Sequence, residues 1–257
     1  MIASAKTLTP LLIRYVLRLG DLSLILGQRL GEWVGHAPAL EEDLGLANIA
    51  LDLIGQARLL LAYAAELEDR GRGEDDIAFL RQQEEYLNPT LVEQPNGDFG
   101  DTIVRQVLID AFQLELYDRL RSSADERLAA IAEKALKETR YHWRYSSNWL
   151  IRLGDGTEES HARVQSALER LWPYTVELVE EDELDREMAD CGIAPPLAEL
   201  RVAWSKRLDE VLAEATLERP PERPFSWFGK RGEHSEHLGY VLAEMQYLQR
   251  SHPGARW

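Results

Sequence analysis

The stretch LGLANIALDLIGQARLLLAYAAEL, residues 44–67, is rich in Leu, Ala and Ile and, wound as a helix, is apolar nearly all the way round. A helix of that kind belongs in the middle of a protein rather than on its surface. Asn48, Asp52 and Gln56, four positions apart, draw a polar stripe along it. The expectation is a central helix of a bundle with three polar groups turned toward one neighbour.

Working outward, Leu12, Tyr15, Leu19, Leu22, Leu26 and Leu30 recur at spacings of three and four, so a first helix is expected over residues 10–33. Residues 31–42, with Gly35 and Pro38, connect the two. Downstream, Gly71, Gly73, Pro89, Pro95 and Gly97 break residues 70–100 into a long crossover with a short helix near 77–86. Further helices are expected over 101–121, 124–153, 158–190 with Pro173 as a kink or restart, 196–215 and 235–250. The Pro-rich stretch 219–232 reads as an irregular arm. No convincing strand alternation appears, so the class is all-α. Two helices, a long crossover and two more helices is the connectivity of a ferritin-like four-helix bundle, here with additional C-terminal helices. One domain over 1–257 is expected, with its core at 10–153 and a helical extension at 158–250.

The chain has 257 residues, with 45 acidic and 29 basic side chains and a formal net charge of −16. That excess argues against nucleic-acid binding, which needs a basic surface. The single cysteine, Cys191, excludes an internal disulfide or a multi-cysteine metal site and fits a reducing, cytoplasmic location. Arg14, Arg18, Asp21 and Arg29 interrupt the first apolar stretch, so neither a secretory signal nor a membrane span is expected there.

Four acids are candidates for the interior of the bundle. Asp110 has Ile103, Val107, Leu114 and Tyr117 on its own helical face, and Asp21 has Leu17, Leu24 and Ile25. Asp52 lies in the most apolar helix, and Glu138 follows Ala135 and precedes His142. Asp21 and Asp52 are 31 positions apart and Asp110 and Glu138 are 28 apart, so the halves read as a diverged repeat. A carboxylate-bridged di-iron bundle takes one Glu from each of two helices and Glu-x-x-His from each of the others. Here the i+3 positions are Gly55 and Tyr141, so both imidazoles are missing there; His142 stands at i+4 from Glu138. The reading is a vestigial di-iron centre at Asp21, Asp52, Gln56, Asp110, Glu138 and His142, filled by hydrogen bonds among them or by a base such as Arg58 or Lys134, with no metal, cofactor or catalytic residue of its own.

Glu233, His234 and His237 form a second cluster with metal-ligand spacing, read as capping or interface residues. Cys191, beside Gly192 and without an adjacent base, reads as inert. No phosphate-binding loop is present. Phe225, Trp227 and Phe228 in the arm are a candidate partner contact, since aromatic side chains bury much area at little entropic cost.

The segments LANIALDLIGQARLLLAYAAELE from Leu46, KETRYHWRYSSNWLIRLGDGTEESHARVQ from Lys137 and HLGYVLAEMQYLQRSHPGA from His237 resemble the C subunits of bacterial ring-1,2-phenylacetyl-CoA epoxidases. The resemblance spans nearly the whole chain, and RLGDGTEES from Arg152 is its most distinctive run. It implies a ferritin-like subunit of a multicomponent monooxygenase in aerobic phenylacetate breakdown. In such systems a paralogous A subunit holds the di-iron centre, a reductase with FAD and an iron–sulfur cluster delivers electrons from NADPH, and the C subunit is a structural partner of A. The expectation is a non-catalytic, cytoplasmic scaffold in a hetero-oligomer. The alternative is a ferritin-like oxidase or oxygenase in its own right, using a reduced, carboxylate-rich site.

Overall fold

The computed structural model describes residues 5–222 and 228–255. In chain order its helices are α1 (Ala5–Glu32), α2 (Leu40–Glu68), α3 (Glu74–Leu80), α4 (Phe99–Leu120), α5 (Glu126–Gly154), α6 (Glu158–Leu171), α7 (Val176–Val179), α8 (Glu183–Asp190), α9 (Leu197–Glu214), α10 (Glu236–Met245) and α11 (Tyr247–Ser251). Short 3-10 turns occupy Gln83–Glu85, Thr90–Glu93, Trp172–Thr175 and Gly229–Arg231. No strand occurs among the described residues. The all-α, ferritin-like order of a helix pair, a long crossover and a second helix pair is the order found.

The chain forms two compact units, one from residues 1–95 with 227–257, the other from 96–226. The stretch expected as a core, 10–153, is therefore divided between them. The stretch expected as an extension, 158–250, is divided as well: α6 to α9 belong to the second unit, α10 and α11 to the first.

In the first unit α1 and α2 pack along their lengths in opposite directions. Two glycines set how close they come. A Cβ on Gly20 would lie 2.8 Å from Leu61 Cδ2, and one on Gly27 would lie 3.1 Å from Ile54 Cγ1 and 3.3 Å from the Ala50 carbonyl oxygen. Ile49, Leu53, Leu60 and Leu61 are buried on the inner side of α2, each contributing roughly 2 kcal/mol by leaving water. The outer side is not covered: Leu40, Leu44 and Leu51 are 70%, 55% and 66% exposed. The expectation that α2 lies enclosed is thus corrected.

The enclosed helix is α4, in the second unit, where nearly every side chain from Thr102 to Leu120 is buried. It packs against α5, α6 and α9, and the Trp204 indole N–H of α9 donates to the Leu108 carbonyl at 3.1 Å. Trp172 stacks on Trp204 with ring centroids 5.8 Å apart, and both rings are buried. The segment expected over 158–190 with a kink or restart at Pro173 does restart there, since proline lacks the N–H that would continue the ladder, and it breaks a second time at residues 180–182, between α7 and α8.

The run RLGDGTEES spans the end of α5, a tight connection over Asp155, Gly156 and Thr157, and the start of α6. Thr157 caps α6 by accepting from the Ser160 N–H at 3.1 Å, while Ser160 Oγ accepts from the Thr157 N–H at 3.0 Å. Gly154 lies so close to α9's end that a Cβ there would sit 2.2 Å from the Ala215 carbonyl oxygen. In the arm, Phe228 forms an isolated antiparallel bridge with Glu233, and its ring faces Arg231 at 4.7 Å. Phe225 and Trp227 lie outside the described residues.

Candidate functional site

Asp21, in the middle of α1, is fully buried. Burying an ionised carboxylate costs several kcal/mol unless a charge and hydrogen bonds compensate it. Both come from the crossover. Arg81, at the C-terminal end of α3, grips Asp21 with two nitrogens: Nη2 donates to Oδ1, and Nη1 donates to Oδ2 at 3.0 Å. The Leu87 N–H adds a third donor to Oδ2 at 2.9 Å.

The guanidinium is held in turn. Nε donates to the Ile77 carbonyl at 2.6 Å, Nη1 also to the Glu85 carbonyl at 3.0 Å, and the Tyr86 ring lies 4.1 Å beneath. Gln246, at the C-terminal cap of α10, donates to both the Arg81 carbonyl, at 2.9 Å, and the Tyr86 hydroxyl, at 2.8 Å. Burial pulls the Arg81 pKa down, but the Asp21 charge and hydrogen bonds more than offset it and hold it above the ordinary value. Burial pushes the Tyr86 phenol up to about 12.

A second buried pair lies in the same unit. Glu93, in the 3-10 turn Thr90–Glu93, accepts on Oε1 from Asn88 Nδ2 at 2.9 Å and His234 Nδ1 at 2.6 Å. Its Oε2 accepts from the Ser235 N–H at 2.9 Å and hydroxyl at 2.6 Å. His234 Nε2 faces the Tyr86 carbonyl at 2.8 Å. Both ring nitrogens face acceptors, so both carry protons and the ring is an imidazolium. Burial lowers the His234 pKa, but Glu93 and the Tyr86 carbonyl outweigh it and the net shift is upward. A ring with both nitrogens donating has no lone pair for a metal, so the 233–237 cluster is a clasp that ties the C-terminal segment to the crossover. Arg29 of α1 joins it by donating to the Glu93 carbonyl, at 3.0 Å from Nε.

In the second unit Asp110 is fully buried on α4. It accepts from Gln106 Nε2 at 2.7 Å on the same helix and from the Ser146 hydroxyl of α5 at 2.6 Å. Gln106, Asp110 and Gln113 of α4, with Thr139, His142 and Ser146 of α5, make two stripes of buried polar side chains. Burial pushes the Asp110 pKa up to about 6, against the opposing pull of His142, Ser146 and Gln106.

The remaining candidates are placed differently from expectation. Asp52 and Glu138 are half-buried rather than enclosed, while Gln56 and His142 are buried. Glu138 lies 3.8 Å from Lys134, whose ammonium is largely exposed, and Arg58 points outward to Glu74 at 3.3 Å. The buried base is thus Arg81, which the sequence reading missed because it sits in a segment read as a connection, 60 positions from its partner. Its only signal was a cation at the end of the apolar run IAFL, just before Tyr86. Cys191 is a free thiol at the C-terminal cap of α8.

These donors do not fit a di-iron pair. Asp21 already carries a cation on both oxygens, Asp52 and Glu138 are half exposed, and Gly55 and Tyr141 stand where imidazoles are required. Among the described residues no group of three or more His, Cys, Asp or Glu is placed to hold a metal ion.

The family described as phenylacetic acid catabolic protein matches residues 3–257. The chain is similar to the C subunit of 1,2-phenylacetyl-CoA epoxidase from Escherichia coli (strain K12), with 54% identity over 246 residues, covering 96% of this chain and 99% of that relative.

Proposed function

The chain belongs to the phenylacetic acid catabolic protein family, and from that premise we propose that it is a structural, non-oxygenating subunit of a multicomponent di-iron monooxygenase. The complex epoxidises the aromatic ring of phenylacetyl-CoA in the cytoplasm, and this chain scaffolds the catalytic A subunit, which carries the di-iron centre. Electrons reach that centre from a reductase bearing FAD and an iron–sulfur cluster.

The observation that carries the reading is the guanidinium of Arg81 on Asp21. A chain that oxygenated its own substrate would need that carboxylate for metal. Here it neutralises an arginine and fastens α1 to the crossover, which turns a ligand into a structural joint. Loss of the metal leaves selection acting on shape and surface, and the helices need only hold their outer faces in place.

Co-expression with the A subunit tests this. A stable complex by light scattering, with iron confined to A and epoxidation dependent on this chain, is the expected result. Two tightly bound irons in this chain with O2 turnover would sink the scaffold reading in favour of an oxygenase in its own right. Unchanged epoxidation by A alone would remove the need for it.

A further inference from the structure

An apolar helix that is hydrophobic all round is stable in water only when it is covered on all sides. Helix α2 breaks that rule. It is long and apolar enough to cross a membrane, yet only 44% of its most apolar window is buried in this chain. The uncovered side carries the exposed Leu40, Leu44 and Leu51 with the half-exposed Ala47, Gly55 and Ala62, at spacings of three, four and seven, interrupted between Gly55 and Ala62 by the exposed Arg58. A Cβ added at Gly55 would meet nothing within 4 Å, so the centre of the stripe is a shallow step between leucines.

We propose that this face of α2 is a docking surface for a helix of a separate, positively charged chain. The shape of the stripe selects a helix. From Leu40 to Ala62 the face is about 33 Å long at 1.5 Å per residue, and its alternation of Leu with Ala and Gly offers ridges and grooves to a crossing helix. Charge selects the sign. Glu41 and Asp43 flank one end, Asp52 borders the middle and Glu66 the far end, while Arg58 is the basic residue on the stripe and pairs with Glu74. A second copy would bring the same acids and a further net charge of −16 onto them, whereas Lys and Arg flanking the partner's apolar ridge would complement them. The same acids disfavour a lipid surface.

This deepens the scaffold reading, on which it rests only for the choice of the A subunit as probe. The test compares the full chain with Leu44→Glu/Leu51→Glu, and with Val202→Glu as a control, since Val202 is 71% exposed in the other unit. All these side chains are exposed, so the melting temperature is expected to hold and to be verified. In sedimentation with the A subunit, the double variant is expected to bind roughly 30-fold more weakly or worse, with the control unchanged. In the wild-type complex, amide exchange is expected to slow along residues 40–62.

Equal binding by the double variant overturns the proposal. So does wild-type self-association that the double variant abolishes, which would make the occupant a second copy, or co-flotation with phosphatidylcholine vesicles, which would make it lipid. Failure of A to bind the wild type sinks the scaffold reading instead. The face is then judged by Leu51→p-benzoylphenylalanine crosslinking in cells. An adduct identified by mass spectrometry as a helical, net-basic chain upholds the proposal, and no adduct overturns it.

Discussion

At the scale of single residues, the Asp21–Arg81 pair shows how a buried acid is kept by a buried cation and a backbone donor. Removing only the cation, by Arg81→Met, leaves an uncompensated buried carboxylate and is expected to cost about 3–5 kcal/mol. The double change Asp21→Leu/Arg81→Met removes both charges and should recover most of that loss in a urea denaturation series. A loss equal to that of the single variant would show that the pair is not coupled. Asp110 sets a second expectation. Its folded-state value, about 6, lies above its ordinary 3.8, so the folded chain favours the protonated form. Its burial is therefore least costly below about pH 4, and about 3 kcal/mol of stability is lost as pH rises through 6. Asp110→Asn should flatten that segment of the stability-versus-pH curve. His234, also shifted upward, acts in the same sense at higher pH: its contribution is full below about 6.5 and falls as pH climbs through its raised folded value.

At the scale of elements, periodicity located the helices to within a few residues because apolar faces repeat locally. It failed where the deciding contact is remote. The 158–190 segment, expected to kink or restart at Pro173, restarts there through the 3-10 turn Trp172–Thr175, but a further break at residues 180–182 was not legible. Asp21, Asp110, Gln56 and His142 were legible as interior groups from the side chains on their own turns. Arg81 and Glu93 were not, since their partners lie 60 and 141 positions away. The α5–α6 turn gives the prediction at this level. Gly154→Ala drives a methyl group into backbone rather than into a flexible side chain, and is expected to cost more than Thr157→Ala, the loss of a helix cap at about 1 kcal/mol. Thermal melting of the two variants side by side checks the order.

At the scale of the whole molecule, composition announced an acidic protein and periodicity an all-α one, but neither showed how the chain is apportioned. The crossover and the C-terminal helices were read as accessories, and both prove to supply the partners of buried charges in the first unit. Glu93 depends on His234 and Ser235 for three of its four donors. The variant His234→Ala is therefore expected to weaken the unit formed by 1–95 and 227–257 selectively. Hydrogen exchange should accelerate in α1 and α2 before it does in α4 and α5, and uniform acceleration would count against separate units.

That apportionment also orders events on the ribosome. The first unit is drawn from residues 1–95 and 227–257, while residues 96–226 lie wholly in between. Synthesis therefore completes the second unit's sequence while the first still lacks its last helices, with Glu93 short of His234 and Ser235. The α1–α2 pair leaves the exit tunnel early and waits for His234, Ser235 and Gln246 to be locked, so a chain released before residue 234 would carry the second unit's whole sequence and an unlatched first.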